Sequence, residues 1–99
     1  MAGLPHVMVR LSEDRLSEEI LSVQTTSPPR HAVLDFTKIT YLGSIHLGQL
    51  LKLRQHQNAH DLHLRLFGLR PEVRKLFRLT SLDVLLDICD SETEAIAPL

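Results

Sequence analysis

Between His6 and Leu66 the hydrophobic pattern switches back and forth between a strand period and a helix period, and this restricts the fold more than any other feature. His6-Val7-Met8-Val9-Arg10-Leu11 is short and β-rich. Leu16, Ile20, Leu21 and Val23 then recur at helical spacing, with Ser12 or Asp14 available as a cap. Pro28-Pro29 stop that helix, because proline has no N–H with which to continue it. His31-Ala32-Val33-Leu34-Asp35-Phe36 reads as a buried strand. A loop leads to a second helix over Ser44 to Gln57, which buries Leu47, Leu50, Leu51 and Leu53 and turns Lys52, Arg54 and Gln55 to water. Leu62-His63-Leu64-Arg65-Leu66 alternates with the strand period and Gly68 closes it. Pro71 opens a third helix with Val73, Leu76, Phe77 and Leu79 on its inner face. A last strand is expected over Leu85–Ile88, and Ser91-Glu92-Thr93-Glu94 has the form of a capping box opening a terminal helix that ends near Pro98. The pattern predicts one α/β domain over residues 1–99, a small mixed, mostly parallel sheet of four to five strands with about four helices and right-handed crossovers.

Charge and cysteine usage narrow the function classes. Net charge is −1, but residues 30–80 hold nine Lys/Arg against three Asp/Glu, while residues 81–99 hold five acids and no Lys or Arg. These charges are read as solvated helix faces facing an acidic tail. Arg70, Arg74, Lys75 and Arg78 on the third helix do not amount to a nucleic-acid surface, since four aromatics in the whole chain leave no stacking platform. The single cysteine, Cys89, excludes a disulfide framework and points to a reducing compartment. No run reaches the roughly 20 apolar residues of a membrane span, and the N-terminus lacks a signal-peptide layout, so a cytoplasmic protein is expected.

Chemistry-bearing motifs are few. There is no GxxxxGK[ST] and no GxGxxG, hence no dedicated nucleotide cradle or cofactor. Cys89 has no neighbouring cation to lower its pKa and reads as a buried thiol. His56 and His60 stand four apart, a spacing that can place two ligands on one helix face, with His63 beyond; without a third convergent ligand no metal is expected. No catalytic set is expected either. What remains is the corner Tyr41-Leu42-Gly43-Ser44-Ile45-His46, where a loop becomes a helix. Serine there has two roles open to it: an N-cap, or a modifiable hydroxyl in the positive field of a helix start.

This corner resembles the signature of the STAS family, the domain of bacterial anti-sigma factor antagonists and sulphate-transporter tails. The resemblance runs from Val33-Leu34-Asp35-Phe36 through Thr40-Tyr41-Leu42-Gly43-Ser44-Ile45-His46-Leu47-Gly48. It continues through Leu64–Leu69, Arg70–Phe77, Leu79–Asp83 and Ser91–Ala95. It implies a non-catalytic interaction module whose protein partner is an anti-sigma factor with serine-kinase activity, or a sensor or transporter component. It implies docking through Tyr41, Gly43, Ser44, Ile45 and His46, with Ser44 as phosphoacceptor. The motif departs from the family's Asp-Ser-Ser/Thr-Gly: Gly43 stands at the acid, Ile45 at the second hydroxyl and His46 at the glycine, so Ser44 is the hydroxyl that is left. The departures equally suit a constitutive accessory subunit of a larger assembly, bound without phosphorylation.

Overall fold

The computed structural model describes residues 6–99. Four strands form one sheet, β1 (His6–Arg10), β2 (His31–Asp35), β3 (Leu64–Phe67) and β4 (Asp87–Cys89), all parallel and in the order β1-β2-β3-β4. Between them lie α1 (Leu16–Gln24), α2 (Ser44–Ala59) and α3 (Pro71–Leu79), and α4 (Glu92–Ile96) follows the last strand. No helix among the described residues is long and apolar enough to cross a membrane.

Strand order that runs straight across the sheet has a consequence. Each right-handed crossover in the same direction must pass over the same face. α1, α2 and α3 accordingly build one large core with Ala32, Leu34, Leu64 and Leu66 of the sheet, sealed by Phe36, Ile39, Leu50, Leu53 and Phe77. The opposite face carries a smaller cluster, Val33, Phe67, Cys89 and Ala95, with Met8 and Leu99 packed against it. Among the described residues α4 is the one helix over it, and the rest of that face is polar: His31, Asp35 and Arg65 alternate with the apolar residues of the main core.

Two expected boundaries shift for physical reasons. β3 begins at Leu64 rather than Leu62 because α2 ends in a Schellman motif: Asp61 takes φ 55°, its N–H donates to Asn58 O (3.1 Å), and the Leu62 N–H donates to Gln57 O (2.8 Å). Leu62 is therefore committed to the helix end. The last strand is Asp87–Cys89, not Leu85–Ile88: Ser81 at φ 60° turns the chain into a 3-10 turn over Leu82–Val84, and Leu85 and Leu86 N–H groups both donate to Leu82 O. Leu79, expected inside, is 74% exposed. At 3.6 residues per turn it stands about 120° from Val73, off the stripe formed by Val73 and Phe77. Arg54, expected in water, is half-buried, and its Nε donates to Leu85 O at 2.7 Å.

Candidate functional site

The loop from β2 to α2 is shaped before the helix begins. At the end of β2, Asp35 Oδ1 accepts the Thr37 N–H at 2.8 Å, and Oδ2 accepts Arg10 Nη1 at 2.7 Å. Burial pushes the Asp35 carboxyl up, but hydrogen bonds from Thr37 and Arg10 outweigh it and hold the group below its ordinary value of 3.8. Ile39 and Leu42 then anchor the loop in the main core, and Thr40 Oγ1 donates to the Glu13 carboxylate at 3.0 Å. On the adjacent strand, Gly68 at φ +73° exits β3 so close to the loop that an added Cβ would lie 2.4 Å from Thr37 Cγ2. Arg70, at the N-cap of α3, donates from Nε to Thr37 O at 2.9 Å. The starts of α2 and α3 thus share one end of the sheet.

Ser44 is not the N-cap of α2. Gly43 is, in extended backbone (φ −88°, ψ 172°), and Ser44 is the first helical residue. Leu42 and Leu47 hold the N′ and N4 positions of a hydrophobic staple around this start; Leu42 is buried in the main core and the partly buried Leu47 packs against it. Glycine has no side chain to cap with. Instead His46, at N3, reaches back so that its Nδ1 accepts the Gly43 N–H at 3.0 Å, which is the return arm of a capping box without its outward arm. The first intrahelical bond runs from the Leu47 N–H to Gly43 O. The amides of Ser44, Ile45 and His46 therefore start the helix with no side chain capping them, in the positive field of a 16-residue helix.

Of the five expected site residues, the structure brings Tyr41, Gly43 and His46 together. The Tyr41 hydroxyl lies 3.8 Å, and His46 Nδ1 3.7 Å, from where a Gly43 side chain would begin. Gly43 needs no special backbone here; its lack of a side chain leaves the helix start bare. Ser44 is exposed, and Tyr41 and Ile45 are each 71% exposed on a loop and helix otherwise pinned by buried leucines. The corner presents two large apolar side chains beside an exposed hydroxyl and amides that no side chain of the described residues caps. Such a surface suits contact with another macromolecule rather than enclosure of a small substrate. The shallow cleft of about 180 Å³ lined by Arg54, Asn58, His63 and Asp87 lies at the opposite end of the sheet.

Other sequence candidates resolve as follows. The His56 and His60 rings lie 4.6 Å apart, yet among the described residues no group of three or more His, Cys, Asp or Glu side chains could hold a metal ion. Cys89 is buried, and burial, then Asp87 and Glu94, push its thiol pKa up, away from nucleophile chemistry. The sequence did not disclose the triad in which Arg10 joins Asp35 to Glu92 (3.2 Å), because its members lie 25 and 82 positions apart. Nor did it disclose that Gln57, 1% exposed, would be the polar residue that ends the buried stripe of α2. Its place four residues after Leu53 was the available signal.

Known proteins match this chain in family and in fold. The family model described as STAS domain matches residues 8–95. A STAS-domain containing protein of Pseudomonas aeruginosa (strain UCBPP-PA14) is 38% identical over 60 residues, which span 61% of this chain and 59% of that protein. Among solved structures, a putative anti-sigma factor antagonist of Thermotoga maritima superposes with a TM-score of 0.75 at 15% identity, covering 97% of this chain and 88% of the other. The Bacillus cell-fate determinant SpoIIAA in its phosphorylated form superposes with a TM-score of 0.65 at 19% identity, covering 97% and 92%.

Proposed function

The chain belongs to the STAS domain family, and from that membership we propose that it is a cytoplasmic, non-catalytic interaction module that docks a protein partner through the corner Tyr41–His46 and is released by phosphorylation of Ser44. The observation that carries this reading is the pairing of an exposed Ser44 at the first helical position with Tyr41 and Ile45, the two apolar side chains that flank it in solvent. Apolar anchors supply contact area to a partner that excludes water around them. A phosphate on Ser44 adds nearly two negative charges in the middle of that contact, which a desolvated interface does not tolerate. The same phosphate is well placed within the free chain, because the uncapped amides and the helix dipole favour an anion at this end. The partner of such a module, by analogy with anti-sigma factor antagonists, is an anti-sigma factor with serine-kinase activity.

The departure of the motif favours a second reading on a specific observation. Ile45 occupies the place of the family's second hydroxyl and is 71% exposed, so it serves a permanent contact better than a switch. In that case the chain is a constitutive subunit of a larger assembly.

One experiment separates the two. Wild-type protein and the variants Ser44→Ala, Ser44→Asp and Ile45→Asp are used as bait, and the wild type is incubated with ATP and serine kinases of the same cell. The switch predicts stoichiometric phosphate on Ser44, and a partner retained by Ser44→Ala but lost by Ser44→Asp and Ile45→Asp. A partner indifferent to Ser44→Asp but lost with Ile45→Asp establishes the constitutive subunit. A partner indifferent to all three variants overturns docking at this corner.

A further inference from the structure

Five of the six histidines, His6, His31, His56, His60 and His63, gather at the end of the sheet opposite Ser44. Their hydrogen bonds are of two kinds. His56 Nδ1 faces Gln57 Oε1 at 2.9 Å and His60 Nδ1 faces the His56 carbonyl at 2.9 Å. Both partners are acceptors, once Gln57 Nε2 is committed as a donor to Arg30 O (2.8 Å) and His63 O (3.0 Å), and a charged imidazole serves them as well as a neutral one. His31 is the reverse: its Nδ1 accepts the backbone N–H of His63 at 2.9 Å. A nitrogen that accepts must keep its lone pair, so His31 is held neutral with its proton on Nε2. A proton on Nδ1 would set two donors face to face.

The surroundings sharpen this requirement. The His31 and His63 rings lie 5.1 Å apart and tilted by 33°. His6 on β1 is the register partner of His31, and its Nδ1 is buried with no hydrogen-bond partner among the described residues. The His63 carbonyl also accepts the Ala32 N–H at 3.0 Å, so this one peptide segment joins β2, β3 and, through Gln57, the last turn of α2.

We propose that His31, flanked by His6 and His63, is a proton-operated latch at the foot of the sheet. Neutral, it fastens the entry to β3; protonated, it releases the His63 amide and loosens the end of α2 that Gln57 ties to the same segment. The inference does not depend on any partner at Ser44.

The charged and titratable neighbours agree in sign. Burial lowers the His31 pKa from its ordinary 6.5, and His63, Arg65 and His6 lower it further. Among the described residues no carboxylate offsets them: Asp87 on β4 pairs with Arg65 at 3.4 Å, and on α4 Glu92 pairs with Arg10 while Glu94 accepts the Asp90 N–H. A histidine whose folded pKa lies below its unfolded value stabilises the fold above that value, and the contribution is lost as pH falls below about 6.5.

The test is an NMR titration of the full chain, following the histidine rings and the His63 amide from about pH 8 to about pH 5, with hydrogen exchange at both ends. The His31 ring is expected to titrate below the ordinary histidine value of 6.5, and the His63 amide shift to follow with the same midpoint. Exchange of that amide, corrected for intrinsic rate, should rise about tenfold on acidification, the size of one ordinary hydrogen bond. In His31→Gln, whose amide oxygen still accepts but does not titrate, that pH dependence should vanish; in His63→Gln, which keeps the amide and removes a cationic neighbour, the His31 midpoint should move up. A His63 amide that ignores the His31 titration in the wild-type protein overturns the latch, as does a pH dependence that survives His31→Gln.

Discussion

Asp35 is 6% exposed and ionised, a position a carboxylate occupies only with compensation. Arg10 and the Thr37 N–H supply it, at 2.7 and 2.8 Å. The sign of the outcome follows from the pKa. Burial raises it, hydrogen bonds from Thr37 and Arg10 lower it more, and the folded value ends below 3.8. Asp35 therefore contributes stability above that pH, and the contribution is lost as pH falls through the lower, folded value. Asp35→Asn should cost about 2 kcal/mol in urea unfolding at neutral pH, the scale of a hydrogen bond to a charged group, and should flatten the acid limb of the stability curve. An unchanged acid limb would show that the pairing contributes nothing. In the sequence Asp35 was visible only as the polar residue that closes the apolar run Ala32-Val33-Leu34; its partners are set by strand register, which no local pattern encodes. Ser44 shows the same limit at the candidate site. The helix start expected at Ser44 is where α2 begins, but serine's capping preference pointed to Ser44 as the cap, a place that Gly43 holds instead.

Most elements were legible in place, the short strands β1 and β2 included; the inner face of a short helix was not. α2 runs 16 residues, and Leu50 and Leu53 bury as its period requires. α3 has nine residues, and its Leu76-Phe77-Arg78-Leu79 segment fits more than one stripe. Packing decides between them. Phe77 is fully buried and meets Phe36 edge-to-face at 6.1 Å and 82°, while Leu79 points to solvent. Phe77→Ala should cost about 3–5 kcal/mol, and Leu79→Lys should fall within about 0.5 kcal/mol of wild type, both read by denaturant unfolding. Comparable losses from the two substitutions would place Leu79 inside and refute the assigned helix face. α4 shows a motif read correctly in kind and wrongly in detail. Ser91 Oγ accepts the Glu94 N–H at 3.1 Å, as a capping box requires, but Glu94 returns to the Asp90 N–H at 3.0 Å, one residue before the cap.

At the scale of the whole molecule, the direct strand order explains the composition of the strands. Parallel sheets covered on both faces read as continuous apolar runs. Here three crossover helices occupy one face, and the other is left to α4, a helix of five residues. The alternation of Leu64-Arg65-Leu66 records that asymmetry. It follows that the two faces differ in how they open. The large core can be exposed only by global unfolding, whereas α4 is held by the burial of Ala95 and by Arg65, whose Nη1 donates to the carbonyls of Ala95 (3.1 Å) and Ala97 (2.8 Å). Cys89 lies in the small cluster beneath it and reports when α4 lifts. Its rate of reaction with a thiol reagent at about pH 8 should exceed the rate set by global unfolding, because the opening needed is local. Arg65→Ala, which removes both carbonyl bonds, should speed the labelling by about 30- to 100-fold, the equivalent of two ordinary hydrogen bonds, while shifting the unfolding midpoint by less. Labelling of the wild type at the global unfolding rate, and an Arg65→Ala rate that rises only in step with lost overall stability, would show instead that both faces of the sheet open as one unit.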